Sequence, residues 1–130
     1  MKKLLIFLFS LLISFNSYGE WTKIGTNTIG NTYYLDIDLI KENNEDVYFW
    51  MLTDYLKPYD GYMSDKVYMQ TNCGVLRYKP LIGTFYKQPM GVGEKQEYPP
   101  PPEEWEYPST ESGAYSLISV VCNYVNYIKE

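Results

Sequence analysis

Apolar and polar side chains alternate in the first part of the chain in a way that predicts a sheet. In residues 33–39, Leu35, Ile37 and Leu39 fall on one face of an extended backbone, and polar or tyrosine side chains fall on the other. This period of two predicts a strand with one buried and one solvated face. Residues 47–52 are apolar or aromatic at every position, which predicts a central strand.

The segments around these two strands predict an antiparallel meander. The polar stretch 41–46 separates the two strands and predicts the turn of a hairpin. Residues 66–73 predict another strand, and residues 75–78 and 82–87 predict one or two more. Because these segments are neighbours in sequence, we expect antiparallel pairing rather than crossover connections.

Two stretches lack this alternation. Residues 54–65 contain Pro, Asp and Gly and predict a turn-rich connection. Residues 88–108 contain four consecutive prolines, Pro99–Pro102, followed by the acidic stretch 103–106. Polyproline cannot join a strand ladder, so this stretch predicts an extended surface loop that is either a connector or a PxxP-type docking segment.

The last part of the chain predicts one helix. Residues 109–124 begin with Ser109 and Thr110, which can cap a helix, and with Glu111, whose charge suits the first turn. Apolar side chains then recur at three- and four-residue intervals, as in a helix with one buried stripe. That stripe consists of Ala114, Leu117, Ile118, Val121 and Val125.

The N-terminus has the features of an export signal. Two lysines precede the apolar run of residues 4–15, and Ser17 and Gly19 are small residues before a cut. These features predict a cleaved signal peptide, residues 1–19, and one exported domain, residues 20–130. The apolar run is shorter than the roughly 20 residues of a spanning helix, and no later segment predicts one.

Cys73 and Cys122 are the only cysteines. An even number of cysteines in an oxidising compartment predicts one disulfide, which closes a loop of about 50 residues and stabilises the fold by about 4 kcal/mol. The predicted fold class is therefore α+β. It consists of a single antiparallel sheet of about five to six strands, a C-terminal helix packed on one face, and one disulfide.

Charge and composition narrow the possible partners. The signal peptide holds two of the eleven Lys and Arg residues, so residues 20–130 carry nine against sixteen Asp and Glu, a net charge of −7. This charge disfavours nucleic acid and anionic lipid as partners. The chain also contains fifteen tyrosines and three tryptophans, which suit both half-buried strands and protein-binding surfaces.

The residues that carry chemistry predict no enzyme, no cofactor and no metal site. The chain has no histidine, which excludes Ser-His-Asp triads, Cys-His pairs and histidine-ligated metals. Asp36 and Asp38 would share one strand face and could form a cation site or an acid–base couple, but alternation alone accounts for them. Glu103, Glu104 and Glu106, which surround Trp105, predict a solvated acidic loop.

One short motif suggests an alternative function. Ser112-Gly113-Ala114-Tyr115 is similar to the Ser-Gly-x-x-Tyr loop of small periplasmic lysozyme inhibitors, with a spacing one residue shorter. The alternative prediction is therefore a periplasmic inhibitor of a lysozyme-type enzyme. A hydrolase that uses carboxylates is a third and weaker hypothesis.

Several motifs together resemble the surface-adhesin protein E family over nearly the whole exported chain. The resemblance implies an antiparallel sheet of about six strands with a helix, a place in the periplasm or at the cell surface of a Gram-negative-type bacterium, and binding to host matrix proteins. The motifs occur in the order Trp21, Tyr33-Tyr34-Leu35-Asp36, Val47 to Trp50, Ser64-Asp65-Lys66, Cys73, Arg77-Tyr78, Tyr86, Met90-Gly91-Val92-Gly93, Trp105, Pro108-Ser109 and Cys122.

These observations predict a non-catalytic, adhesin-like protein of the cell envelope. We expect it to bind another protein through its aromatic-rich sheet and loops, because Tyr and Trp are enriched at binding hot spots. We also expect the domain to form a homodimer, because a single helix cannot cover both open edges of a sheet.

Overall fold

A computed structural model describes residues 21–99 and 103–129. The predicted signal peptide and residues 100–102 of the proline run lie outside the described residues. Within these described ranges, seven strands form one antiparallel sheet, and one long helix follows them. The strands are β1 (Trp21–Thr26), β2 (Thr32–Asp36), β3 (Lys41–Asn43), β4 (Asp46–Tyr59), β5 (Tyr62–Asn72), β6 (Arg77–Gln88) and β7 (Val92–Glu97), and the helix is α1 (Gly113–Lys129).

The strands run across the sheet in the order β1-β2-β4-β5-β6-β7, and the short β3 pairs with the start of β4. The long strands β4 and β5 form a hairpin that turns at Asp60 and Gly61, both with positive φ. Residues 54–65 are thus mainly strand, and the prediction of a turn-rich connection is wrong. A two-residue turn suffices because Gly61 adopts φ +83° without steric strain.

The hydrophobic core lies between α1 and one face of the sheet, which we call the helix face. Strand residues with odd numbers in β4 and β5 point into it, and α1 supplies the apolar stripe that its spacing predicts. The opposite face of the sheet is called the open face. The buried core residues are Leu35, Val47, Phe49, Val67, Met69, Leu117, Val121 and Val125.

A disulfide joins Cys73, which follows β5, to Cys122 in α1, with a Cα–Cα distance of 5.7 Å. It ties the helix to the end of the sheet hairpin formed by β4 and β5. The predicted disulfide, the single antiparallel sheet and the C-terminal helix are all confirmed, with seven strands where about five to six were expected.

Helix α1 begins and ends later than its predicted range of 109–124. Residues 109–112 form a turn in which the Ser112 amide donates to the Ser109 carbonyl at 3.0 Å. The Ser112 hydroxyl then accepts from the Tyr115 amide at 3.1 Å, as a helix N-cap does. Ser112, rather than Ser109 or Thr110, therefore caps the helix.

Part of the predicted surface loop is also a strand. Residues 92–97 form β7 and pair with the outer edge of β6. All six residues are exposed, and five of them are polar or glycine, so the sequence has no alternation of polar and apolar side chains that would predict a strand. The strand arises from backbone pairing with β6, which a local sequence pattern does not contain.

Candidate protein-binding surface

Three aromatic side chains lie together at the centre of the open face. Phe49 and Met69 point into the core, so the neighbouring Trp50 and Tyr68 point to the opposite side. The ring centroids of Trp50 and Tyr68 are 4.8 Å apart, and those of Tyr48 and Tyr68 are 6.2 Å apart. Each ring is half-buried, so these three residues, which we call the aromatic centre, keep part of their surface available to a partner.

Lys66 lies on the open face beside the aromatic centre. Its Nζ is 5.6 Å from the ring centroid of Trp21 in β1 and 5.2 Å from that of Tyr86 in β6. These distances allow cation–π attraction to both rings. Because Trp21 and Tyr86 belong to different strands on either side of β5, the lysine links three parts of the sheet.

The backbone at Gly91 lies close to the side chain of Lys66. A Cβ on Gly91 would lie 2.4 Å from Cε of Lys66 and 3.1 Å from Cδ1 of Leu52, and its φ of +68° disfavours any other residue. The backbone of the 3-10 turn Pro89–Gly91 therefore approaches the lysine stem closely. This close approach leaves no room for a side chain at position 91.

The groups around Lys66 disfavour its positive charge on balance. Burial lowers the pKa of Lys66, and the nearby positive charge of Lys95 lowers it further, while Asp36 acts in the opposite direction. The net direction is downward, so the stabilising effect of Asp36 is the smaller one. An additional negative group beside Lys66 would therefore be favourable.

The chain's own acidic segment lies along β6 and places Trp105 at the other end of the open face. Trp105 lies 4.3 Å from Cζ of Arg77 and 4.7 Å from Nζ of Lys79. Backbone hydrogen bonds of 3.0 and 2.8 Å join Tyr78 and Glu106 as an antiparallel bridge. Glu103, Glu104 and Glu106 are exposed, in line with the prediction of a solvated acidic loop, whereas Trp105 is half-buried against the two cations.

A second aromatic cluster lies on the helix face, beyond the hydrophobic core. The hydroxyls of Tyr55 and Tyr98 both donate to Oδ2 of the buried Asp65 at 2.5 Å. Burial, and then the hydrogen bond to Asp65, raise the pKa of both tyrosines above the usual value. Tyr98 also stacks on Phe85 with a centroid distance of 4.1 Å. This cluster anchors the chain where it enters the proline run.

The two aspartates singled out as an acid pair do not share a strand face. Strand β2 ends at Asp36, which is on the open face and 7% exposed. Asp38 lies in the 3-10 turn Ile37–Leu39 and is exposed, and Leu39 is 48% exposed where alternation predicts burial. The turn breaks the alternation because the chain must redirect into β3. The expectation of a shared face is wrong, and the absence of a catalytic role stays a prediction.

The motif that suggests an enzyme inhibitor has a structural role here. Ser112 caps α1, and Gly113 to Tyr115 form its first turn. Within residues 21–99 and 103–129, no three His, Cys, Asp or Glu residues lie close enough together to hold a metal ion. In the same part of the chain, no helix has the length and apolar character needed to cross a membrane.

Sequence reasoning identified the abundance of aromatic residues but not their arrangement. Trp21, Lys66 and Tyr86 come together from three strands, and Trp105 contacts Arg77 from a segment distant in sequence. Alternation around Trp50 and Tyr68 could have placed both residues on one face, since they neighbour core residues in each strand.

Comparisons with known proteins identify the family and the fold. The model of the family described as surface-adhesin protein E matches residues 21–123. No curated protein matches the sequence.

Solved structures with a similar fold include protein E of Haemophilus influenzae in several forms. Its crystal form II is 18% identical, with a TM-score of 0.64 over 80% of this chain and 87% of that chain. The selenomethionine form is 19% identical, with a TM-score of 0.62 over 78% of this chain and 85% of that chain. Protein E from non-typeable Haemophilus influenzae is 18% identical, with a TM-score of 0.59 over 79% of this chain and 75% of that chain. At these identities the structural likeness shows the shared fold.

Proposed function

The chain belongs to the surface-adhesin protein E family, and from this premise we propose that it is an exported, non-catalytic protein of the cell envelope that binds another protein through the open face of its sheet. The family supports an adhesin-like role at the cell surface. The predicted signal peptide, residues 1–19, supplies the route of export.

The observation that carries this proposal is the aromatic centre of Tyr48, Trp50 and Tyr68. Tyr and Trp dominate binding hot spots because they bury a large area with few rotatable bonds. Here they project from the two long strands β4 and β5, whose pairing extends over most of their length. A rigid strand backbone keeps the rings in place before binding, which lowers the entropic cost of association.

The family's description as a surface adhesin favours a host matrix protein as the partner. The alternative, a periplasmic inhibitor of a lysozyme-type enzyme, rests on the Ser112–Tyr115 motif alone. Because the cap of α1 accounts for that motif, no structural observation favours the inhibitor over the adhesin.

A binding assay tests the proposed function. Purified residues 20–130 are titrated onto immobilised basement-membrane extract, beside a double variant that carries Trp50→Ala and Tyr68→Ala. Loss of two central aromatic contacts is expected to weaken binding by more than about tenfold. The matched control is Tyr59→Ala, since Tyr59 is 63% exposed and stacks with Phe85 on the helix face.

Circular dichroism of each variant checks that the fold is retained. Equal binding by the double variant and the Tyr59→Ala control would contradict the use of the open face. Proteolysis of intact cells tests the location: cleavage by added protease supports surface display. A soluble periplasmic protein that resists the protease would contradict adhesion and support the inhibitor.

A further inference from the structure

Positive charge is concentrated on the open face, although residues 20–130 have a net charge of −7. The strand register shows which lysines belong to this face. Lys23 lies opposite Tyr34, and Lys95 lies opposite Tyr86, so both point to the same side as Lys66. The six positive residues on the face, out of nine in residues 20–130, are Lys23, Lys41, Lys66, Arg77, Lys79 and Lys95.

Most acidic side chains that share this face are engaged within the protein. Asp46 accepts hydrogen bonds from Gln70 at 2.9 Å and from Asn72 at 2.8 Å. Asp54 accepts from the Met90 amide at 2.9 Å. Asp36 is almost fully buried, and Glu97 lies on the edge strand β7. The centre of the face therefore offers positive charge and aromatic surface to an incoming partner.

The chain's own segment 103–107 shows how the cations of this face receive aromatic side chains. Glu106 pairs with the backbone of Tyr78, while Trp105 packs against Arg77 and Lys79. The Tyr107 hydroxyl also accepts from Nη1 of Arg77 at 3.1 Å. The segment thus places the ring of Trp105 on two cations of the open face, whereas Glu106 lies beside Tyr78, which packs against the core. Burial, and then Glu106, raise the pKa of that tyrosine.

The opposite end of the open face also combines lysines with aromatic rings, but segment 103–107 does not lie there. Lys66 lies between Trp21 and Tyr86, and Lys23 and Lys95 flank it across the strands. The positive charges of Lys66 and Lys95 repel each other, and Lys95 therefore lowers the pKa of Lys66. A partner with negative charge would relieve that repulsion, whereas a basic partner would increase it.

We propose that the open face recognises an acidic segment of its partner protein, with carboxylates beside Lys66 and an aromatic or apolar side chain on the aromatic centre. This inference rests on the proposed function, since it names the chemistry of the partner at the same surface. The acidic remainder of the molecule repels such a partner and so orients it toward the open face.

The test uses NMR amide titration of residues 20–130, which detects weak binding by short peptides. One capped peptide has the sequence Glu-Glu-Trp-Glu-Tyr, copied from residues 103–107, and the control peptide has Gln in place of each Glu. The acidic peptide is expected to shift the amide signals around Lys66 and Tyr68, with an affinity at least about tenfold above the Gln peptide. Added salt is expected to weaken this binding.

Matched variants locate the contact. Lys66→Gln keeps most of the side-chain stem and is expected to weaken binding of the acidic peptide about tenfold. Lys87→Gln is the control, because Lys87 also lies over a ring, 4.1 Å from the centroid of Tyr62, but on the helix face. It is expected to leave the titration unchanged.

Each contrary outcome overturns the proposal in a recognisable way. Equal shifts by the acidic and Gln peptides would show that the face binds peptides without selecting charge. Binding of heparin without binding of the acidic peptide would identify an anionic polysaccharide as the ligand instead. If the Trp50→Ala, Tyr68→Ala variant loses matrix binding but the acidic peptide shifts no signal, the acidic partner is refuted and the proposed function stands.

Discussion

Breaking the Cys73–Cys122 bond tests how much of the stability depends on the tether between helix and sheet. The two cysteines are 49 residues apart in sequence. In the chain-entropy model, closing a loop of this length restricts the unfolded chain by about 4 kcal/mol at 25 °C. Small domains have a total unfolding free energy of only about 5–15 kcal/mol. Loss of the bond therefore removes a large fraction of the total.

Reduction is a cleaner perturbation than substitution, because it leaves both side chains in place. Cys122 is 6% exposed and lies beside the core residue Val121, so a polar replacement would add a separate desolvation penalty. The reduced protein is expected to unfold at a lower urea concentration, with a free energy of unfolding lower by about 4 kcal/mol. The variant with Cys73→Ala and Cys122→Ala provides the control without reductant.

Two results would refute this reasoning. A difference below about 1 kcal/mol between oxidised and reduced protein would show that loop closure is not a main source of stability. Two alkylatable thiols in protein isolated under non-reducing conditions would show that the bond does not form in the cell.

Four other predictions concern the helix-face cluster and the assembly. Asp65→Ala leaves two phenol hydroxyls without their acceptor and is expected to lower the free energy of unfolding by about 3 kcal/mol in urea titrations; a loss under about 1 kcal/mol would contradict the contact. Burial and Asp65 raise the pKa of Tyr55 and Tyr98 in the folded protein. The resulting stabilisation is therefore fully present below about pH 10 and is lost as the pH rises above it. The free energy of unfolding is expected to fall by at most about 1.4 kcal/mol per pH unit for each tyrosine, and solvent screening reduces this value. Urea titrations from pH 8 to 12 that show no such decline would contradict it. Gly83→Ala would place a Cβ 2.7 Å from the Tyr98 ring and is expected to lower stability by about 1–3 kcal/mol, measured by thermal unfolding, whereas an unchanged melt would show that the ring can move aside. Sedimentation at micromolar concentration is expected to show a dimer, and a monomer that persists at high salt would contradict edge or face pairing.

The elements with a strong local period were predictable from the sequence. The apolar stripe of α1 follows from its three- and four-residue spacing, and the central position of β4 follows from its unbroken run of apolar and aromatic residues. Strand β7 was missed because its residues are all exposed and only pairing with β6 holds it. The start of α1 was misplaced because Ser109 and Ser112 can both cap a helix, and tertiary context selects Ser112.

The candidate surface was predictable in kind but not in detail. Aromatic content indicated a protein-binding surface, and alternation fits the placement of Trp50 and Tyr68. The position of Lys66 between Trp21 and Tyr86 depends on the pairing of distant strands. The positive charge of the open face was hidden by the net charge of −7, because a sum over the chain does not record how charges divide between two faces.

Site-specific photocrosslinking tests most directly whether the open face is the binding surface. The photoreactive residue p-benzoylphenylalanine replaces Ile82, which is 52% exposed and lies opposite Tyr68 on the open face. A second protein carries it in place of Tyr59 on the helix face. Both are illuminated with basement-membrane extract. The account predicts a discrete protein adduct from position 82 and none from position 59. Adducts only at position 59, or equally at both, would contradict it.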